Sequence, residues 1–189
     1  MSHRSKSITS IIVFMIIFLL FPGSISIRDV KAQQMAPYFT LPDLSGNMVS
    51  LKDFRGKIVF VDFWATWCLP CRKSLPELAK LDKKYRDKGL VILGLSMDNP
   101  DSFDNKYVSE FIKDFKVEYQ ILRADKKVVE NYLGTEGVSI PALIIVDSKG
   151  KIVEKQVGFD PGIAEKALRK LLENEQSRTF GNLLLNKSP

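Results

Sequence analysis

A chain of 189 residues with 45% hydrophobic and 26% charged side chains has the ordinary mixture of one soluble globular domain with short appendages. Its net charge of +6 overstates the basicity of the folded part, because residues 1–32 carry Arg4, Lys6, Arg28 and Lys31 against Asp29; no basic stripe with interleaved aromatics follows, so nucleic acid is not an expected partner. The single histidine, His3, lies in the N-terminal segment, which excludes a four-ligand zinc site and any Cys–His or Ser–His–Asp hydrolase in the rest of the chain.

Residues 1–32 read as a targeting segment. His3, Arg4 and Lys6 precede an unbroken apolar run at residues 11–21, which Pro22 and Gly23 end. A run of this length suits a secretory signal peptide, whereas a spanning helix needs about 20 apolar residues. Val30-Lys31-Ala32 and Ser24-Ile25-Ser26 offer small residues for cleavage, and an uncleaved N-terminal membrane anchor is the alternative. No cysteine near residues 22–32 could take a lipid. Either way the domain is expected to be exported, in the periplasm or on the extracytoplasmic face of the membrane.

Residues 36–174 read as one α/β domain. Two short strands, 39–44 and 48–51, flank Ser45-Gly46-Asn47, where Gly and Asn suit a tight turn. Residues 58–64 are β-branched and aromatic almost throughout, as in a strand covered on both faces. A helix follows over 71–88, with Leu75, Leu78, Leu81 and Tyr85 at helical spacing and Gly89 at its end. Then come a buried strand at 91–97, a helix at 102–115, a strand at 119–122 and a helix at 128–133. Strands 142–146 and 152–158 are joined by the turn Asp147-Ser148-Lys149-Gly150, and an amphipathic helix at 163–173 closes the domain. This order predicts a central mixed sheet flanked by helices, with a late antiparallel hairpin. The tail, 175–189, contains Leu183-Leu184-Leu185 but no period, and receives no assignment.

The chemistry concentrates on Cys68 and Cys71, the only cysteines. At i and i+3 where a helix begins, their Cβ atoms stand ~5–6 Å apart, and a small adjustment closes a disulfide. The helix N-terminus supplies partial positive charge and unpaired N–H groups, and Arg72 and Lys73 add to it, so thiolate is favoured over thiol. Cys68, at the tip after Trp67, is expected to be the exposed attacking thiol, and Cys71, one turn into the helix, the resolving one. An incidental bridge is the bland alternative, although so small a loop restricts the unfolded chain little. Haem attachment needs a histidine where Arg72 stands. A carrier holding Cu(I) through both thiolates is another reading.

Several motifs together closely resemble the thioredoxin superfamily, and within it the exported TlpA-like (ResA-like) branch. Val61-Asp62-Phe63-Trp64-Ala65-Thr66-Trp67-Cys68-Leu69-Pro70-Cys71 resembles the active-site strand and loop, with Pro76 where these proteins kink the helix. Val138-Ser139-Ile140-Pro141-Ala142 resembles the segment that bears a cis-proline facing the disulfide. Residues 36–41 and 51–57 resemble the N-terminal hairpin of this branch and of the peroxiredoxins. The resemblance covers about residues 36–173 and implies a thioredoxin-like fold and a thiol–disulfide oxidoreductase whose redox group is Cys68–Cys71, with no other cofactor. It further implies a buried Asp62 near Cys71 as proton acceptor, a cis Pro141, and Ile140 backbone groups that pair with an extended substrate. Pro70 and Trp67 support the site, Trp67 beside Cys68 or as core filling. Expected partners are disulfide-bonded proteins, apocytochrome c among them, and a membrane thiol donor.

Two positions depart from the pattern: Ser74 stands where many relatives carry a glutamate, and Gly94 where thioredoxin has a lysine near its buried aspartate. A thiol-dependent peroxidase is the rival enzyme, but its Pro-x-x-x-Thr-x-x-Cys motif meets Val61 and Ala65 here.

Overall fold

The strand β3, Ile58–Trp64, is buried along its whole length because it is the middle strand of a five-stranded sheet. The computed structural model describes residues 34–185, with side chains through 178. The expected signal peptide or anchor over 1–32 and the end of the tail, 186–189, lie outside the described residues.

Ahead of the sheet, β1 (Thr40–Pro42) and β2 (Met48–Ser50) form the N-terminal hairpin, turning at Gly46, whose φ of 88° suits a residue without Cβ. After β3 come α1 (Leu69–Tyr85), β4 (Leu90–Ser96), α2 (Asn105–Asp114), β5 (Gln120–Arg123), α3 (Lys126–Leu133), β6 (Ala142–Val146), β7 (Ile152–Val157) and α4 (Pro161–Leu185). The sheet runs β5-β4-β3-β6-β7. Strands β3, β4 and β5 are parallel, as helical crossovers require, while β6 and β7 are antiparallel additions. This is the expected mixed α/β sheet with helices on its faces.

Alternation along β3 feeds two cores. Ile58, Phe60 and Trp64 pack with Leu75, Leu78 and Leu81 of α1, Val108 of α2, and Ala164 and Leu168 of α4. Val59, Val61 and Phe63 pack with Phe39, Leu41 and Val49 of the hairpin and Val128 and Tyr132 of α3. Each such side chain contributes ~1.5–3 kcal/mol by leaving water, which is why the central strand tolerates so few polar residues.

Several boundaries differ from expectation. Helix α1 starts at Leu69 rather than 71, because Cys68 is its N-cap and Pro70, lacking an N–H, is tolerated in the first turn. It gives way after Tyr85 to a 3₁₀ turn, Arg86–Lys88, that stops at Gly89 with φ of 102°. Helix α2 starts later, at Asn105, where the Asp104 side chain accepts from the Tyr107 N–H at 2.7 Å. Helix α4 runs to Leu185, past the predicted end at 173. Its added turns are built from good helix formers such as Glu175 and Gln176, with no apolar stripe to announce them. Among the described residues no helix is long and apolar enough to cross a membrane.

Candidate active site

The site forms where β3 ends and α1 begins. Cys68 has extended backbone (φ −83°, ψ 102°) and caps the helix, its Sγ accepting the Cys71 N–H at 3.2 Å. The two cysteines are joined in a disulfide with Cα atoms 5.3 Å apart. The helix N-terminus therefore points its partial positive charge and the Cys71 N–H at the first sulfur.

The expectation of an exposed Cys68 needs correction. In this disulfide form Cys68 is 5% exposed and Cys71 0%. The cap bond draws Cys68 Sγ inward, and the same sulfur lies 3.6 Å from the Ile140 carbonyl oxygen. Its neighbours take the surface instead: Trp67 is 57% exposed and Leu69 68%. Trp67 thus does not fill the core. Pro70 is exposed beside them.

The Ile140–Pro141 bond is cis and follows a loop that exposes Val138. Pro141 is buried, and its carbonyl accepts the Gly158 N–H at 2.8 Å, which ties the loop to the residue just past the end of β7. Cys68, Cys71 and Ile140 meet at one point; Trp67, Leu69 and Val138 are exposed apolar residues of the same two loops and first helical turn.

Asp62 is wholly buried in β3, and neither carboxyl oxygen meets a hydrogen-bond partner among the described residues. It shares the face of Phe60 and Trp64, onto which α1 packs. Burial raises its carboxyl to about 7, since an ion there would have no water around it. Its parallel neighbour is Gly94, as the resemblance to thioredoxin implied. The space above Gly94 is occupied: a Cβ built there would fall 3.1 Å from Trp64 Nε1 and 3.1 Å from Tyr119 Cε2. Trp64 Nε1 and the Tyr119 hydroxyl are also buried without partners among the described residues. The Tyr119 hydroxyl is pushed well above its usual range, by burial first and then by Asp62 and Asp82. Ser74 is buried, and its hydroxyl is satisfied by donating to the Cys71 carbonyl at 2.9 Å.

The turn before Cys68 is held by residues that sequence reasoning missed. Thr66 N–H reaches both Asp98 oxygens, at 3.0 and 3.2 Å, and Thr66 Oγ1 donates to Asp98 Oδ1 at 2.7 Å. Ser96 Oγ donates to Asp98 Oδ2 at 2.9 Å. Arg123 Nη2 donates to the backbone oxygens of Asp98 and Phe103 at 3.1 and 2.9 Å. The Thr66 carbonyl receives Arg72 Nε and Nη2 at 3.2 and 3.0 Å, and the Arg72 guanidinium lies over the Phe111 ring, 5.3 Å from its centroid. The available signal was the position of Thr66 and Asp98, each just past the end of a buried strand, where α/β proteins assemble their sites.

A cysteine pair that opens and closes at the head of α1, on a mixed sheet covered by helices and a proline loop, is the working part of thiol–disulfide oxidoreductases of the thioredoxin fold. The AhpC/TSA family matches residues 32–155, and the chain belongs to that family. It is 35% identical over 143 residues to the thiol-disulfide oxidoreductase ResA of Bacillus thuringiensis, covering 75% of this chain and 79% of that one. It is 36% identical over 129 residues to the thioredoxin-like protein YneN of Bacillus subtilis, covering 68% and 73%. Among solved structures, the thioredoxin domain of a thiol-disulfide oxidoreductase from Bacteroides vulgatus superposes with a TM-score of 0.61 at 37% identity, covering 71% of this chain and 95% of that one. A thiol:disulfide interchange protein from Bacteroides sp. gives 0.63 at 34% identity, covering 75% and 90%. The chain is thus a thiol–disulfide oxidoreductase.

Proposed function

We propose that this oxidoreductase works outside the cytoplasm and in the reducing direction, breaking disulfides in exported proteins, apocytochrome c among them. The observation that carries the reading is Cys68 Sγ, set between the Cys71 N–H and the Ile140 carbonyl at the head of α1. In the dithiol form the Cys68 thiolate attacks one sulfur of a substrate disulfide; that S–S bond breaks and the departing thiolate takes up a proton. Cys71 then gives its proton to Asp62 and attacks Cys68 Sγ. The mixed disulfide breaks, the second substrate thiol is released, and two electrons have passed from the cysteine pair to the substrate. Ile140 offers a carbonyl to an extended substrate segment, Pro141 holds that loop, and Trp67 and Pro70 supply the surrounding surface. The cysteine pair is the only redox group the cycle uses, and a membrane thiol donor returns it to the dithiol.

Export is supported by the charged start and apolar run of residues 1–21. Protease treatment of spheroplasts of a native host tests export, and acid-quenching cells and alkylating with a mass-tagged maleimide tests the direction. The expected result is a protein open to protease in spheroplasts and mostly dithiol in the resting cell. A protected protein overturns export, and a disulfide in nearly every molecule overturns the reducing direction. Peroxide consumption by the purified protein would favour the peroxidase reading instead.

A further inference from the structure

Trp64 pairs with Ser96 at the end of β3 and β4, and Ser96 with Arg123 at the end of β5. Two residues beyond that edge, the register sets Thr66 beside Asp98. Asp98 is 3% exposed and Thr66 is buried with it. The carboxylate accepts from both donors of Thr66 and from Ser96 Oγ, a set of charge-assisted bonds about twice as strong as neutral ones. With its N–H and hydroxyl turned toward Asp98, Thr66 presents its carbonyl to Arg72, which grips it with two N–H groups. Arg72 belongs to the first turn of α1, and its own N–H bonds the Cys68 carbonyl at 3.3 Å. The chain Asp98–Thr66–Arg72 therefore passes around Cys68 and returns to it.

We propose that Asp98 is a positioning residue for thiol–disulfide exchange: by clamping Thr66 it holds the Cys68 turn and the Arg72 cation in the arrangement that keeps Cys68 reactive. A clamp serving stability alone would need no link to the reacting cysteine, whereas this one sits two residues before it and orients a cation in the next turn. The titratable and charged groups facing this clamp are Arg72 of α1 on the Thr66 carbonyl, and Arg123 of β5, which interacts with both Asp98 and Asp104 at the cap of α2; Asp62 lies further back along β3. Asp98→Asn removes one of those charges but keeps an oxygen for Thr66 and an N–H for Ser96 Oγ. Asp98→Ala removes the charge and the bonds together, so comparing the two isolates the clamp.

The test measures the pH profile of Cys68 alkylation and the rate of mixed-disulfide formation with a model disulfide. Relative to Asp98→Asn, Asp98→Ala is expected to react about tenfold more slowly near neutral pH, with its alkylation midpoint moved up by about one pH unit. Thr66→Val, which loses only the Oγ1 bond, is expected to fall about threefold, and Thr66→Ser to recover it. Equal midpoints and rates in Asp98→Ala and Asp98→Asn, with only thermal stability changed, would overturn the proposal. If Asp98→Ala does not fold, the Thr66 pair decides in the same way: equal rates overturn it. The inference rests on Cys68 as the attacking thiol, and that reading fails separately, through equal labelling of both cysteines in the unaltered protein.

Discussion

Asp62 on β3 and Gly94 on β4 are in-register parallel neighbours, so the buried carboxyl has beside it a residue without a side chain. No cation comes from that strand to steady the carboxylate. The indole of Trp64 and the ring of Tyr119 crowd the Gly94 Cα instead. The carboxyl therefore holds its proton to about 7 against an ordinary 3.8.

That raised value has a signed consequence for stability. Below about pH 4 the folded and unfolded chains both bind the Asp62 proton; between about pH 4 and 7 only the folded chain does, so unfolding free energy falls as pH rises through this window. Above it the full cost is about 4 kcal/mol, because the window is about three pH units wide and each is worth roughly 1.4 kcal/mol. Asp62→Asn removes the titration. Denaturant unfolding of the oxidised protein is expected to show the variant gaining on the native chain as pH rises from about 4 to about 8, by up to about 4 kcal/mol. A constant gap between the two would contradict the buried, unpaired carboxyl.

Gly94 is held small by its surroundings. A Cβ there would lie 2.5 Å from Ile121 Cδ1 as well as against Trp64 and Tyr119. Gly94→Ala is expected to destabilise by ~1–3 kcal/mol, as overpacked cores do. Adding Ile121→Val, which deletes the clashing methyl, should restore more than half of the loss, measured by denaturant midpoints at constant m. Additive losses in the double variant would show that the crowding lies elsewhere.

The central strand was readable at both ends, since residues 58–64 are continuously apolar or β-branched except for Asp62 and a glycine turn precedes them. The same holds for 142–146, which Pro141 opens and the Asp147–Gly150 turn closes. Helix α4 was not readable past 173, because its added turns bear no apolar stripe for periodicity to detect. At the site, the spacing of Cys68 and Cys71 was legible because their chemistry is local, and Ile140 and Pro141 because their motif is. The bond between Thr66 and Asp98 was not: 32 residues separate them, and only the register of two parallel strands makes them neighbours. The exposure of Trp67 likewise depends on where the helix cap turns the chain, which composition does not encode.

In the reduced protein the two cysteines should differ sharply toward small electrophiles. Cys71 lies under the first turn of α1 with no exposed surface, while Cys68 keeps a small opening and the helix N-terminus. Brief iodoacetamide treatment near neutral pH, followed by peptide mapping, is expected to label Cys68 at least about tenfold faster. Equal labelling would contradict the assignment of roles.

Loss of Asp62 should also mark the resolving step. Asp62→Ala is expected to form mixed disulfides with a model substrate at the native rate and to release product about tenfold more slowly near pH 7, recovering as hydroxide takes over the Cys71 proton at higher pH. Stopped-flow measurements across that range would read both phases. Unchanged release at every pH would remove Asp62 from proton transfer.

The most direct test of the account is covalent trapping with single cysteine variants. Cys71→Ser, which retains the attacking sulfur and lacks the resolving one, is expected to accumulate a stable mixed disulfide with a disulfide-bonded protein substrate, visible on non-reducing gels and reversed by dithiothreitol. Cys68→Ser, whose remaining sulfur is buried beneath α1, is expected to accumulate almost none. Trapping by Cys68→Ser as strong as by Cys71→Ser would contradict the division of labour between the two cysteines.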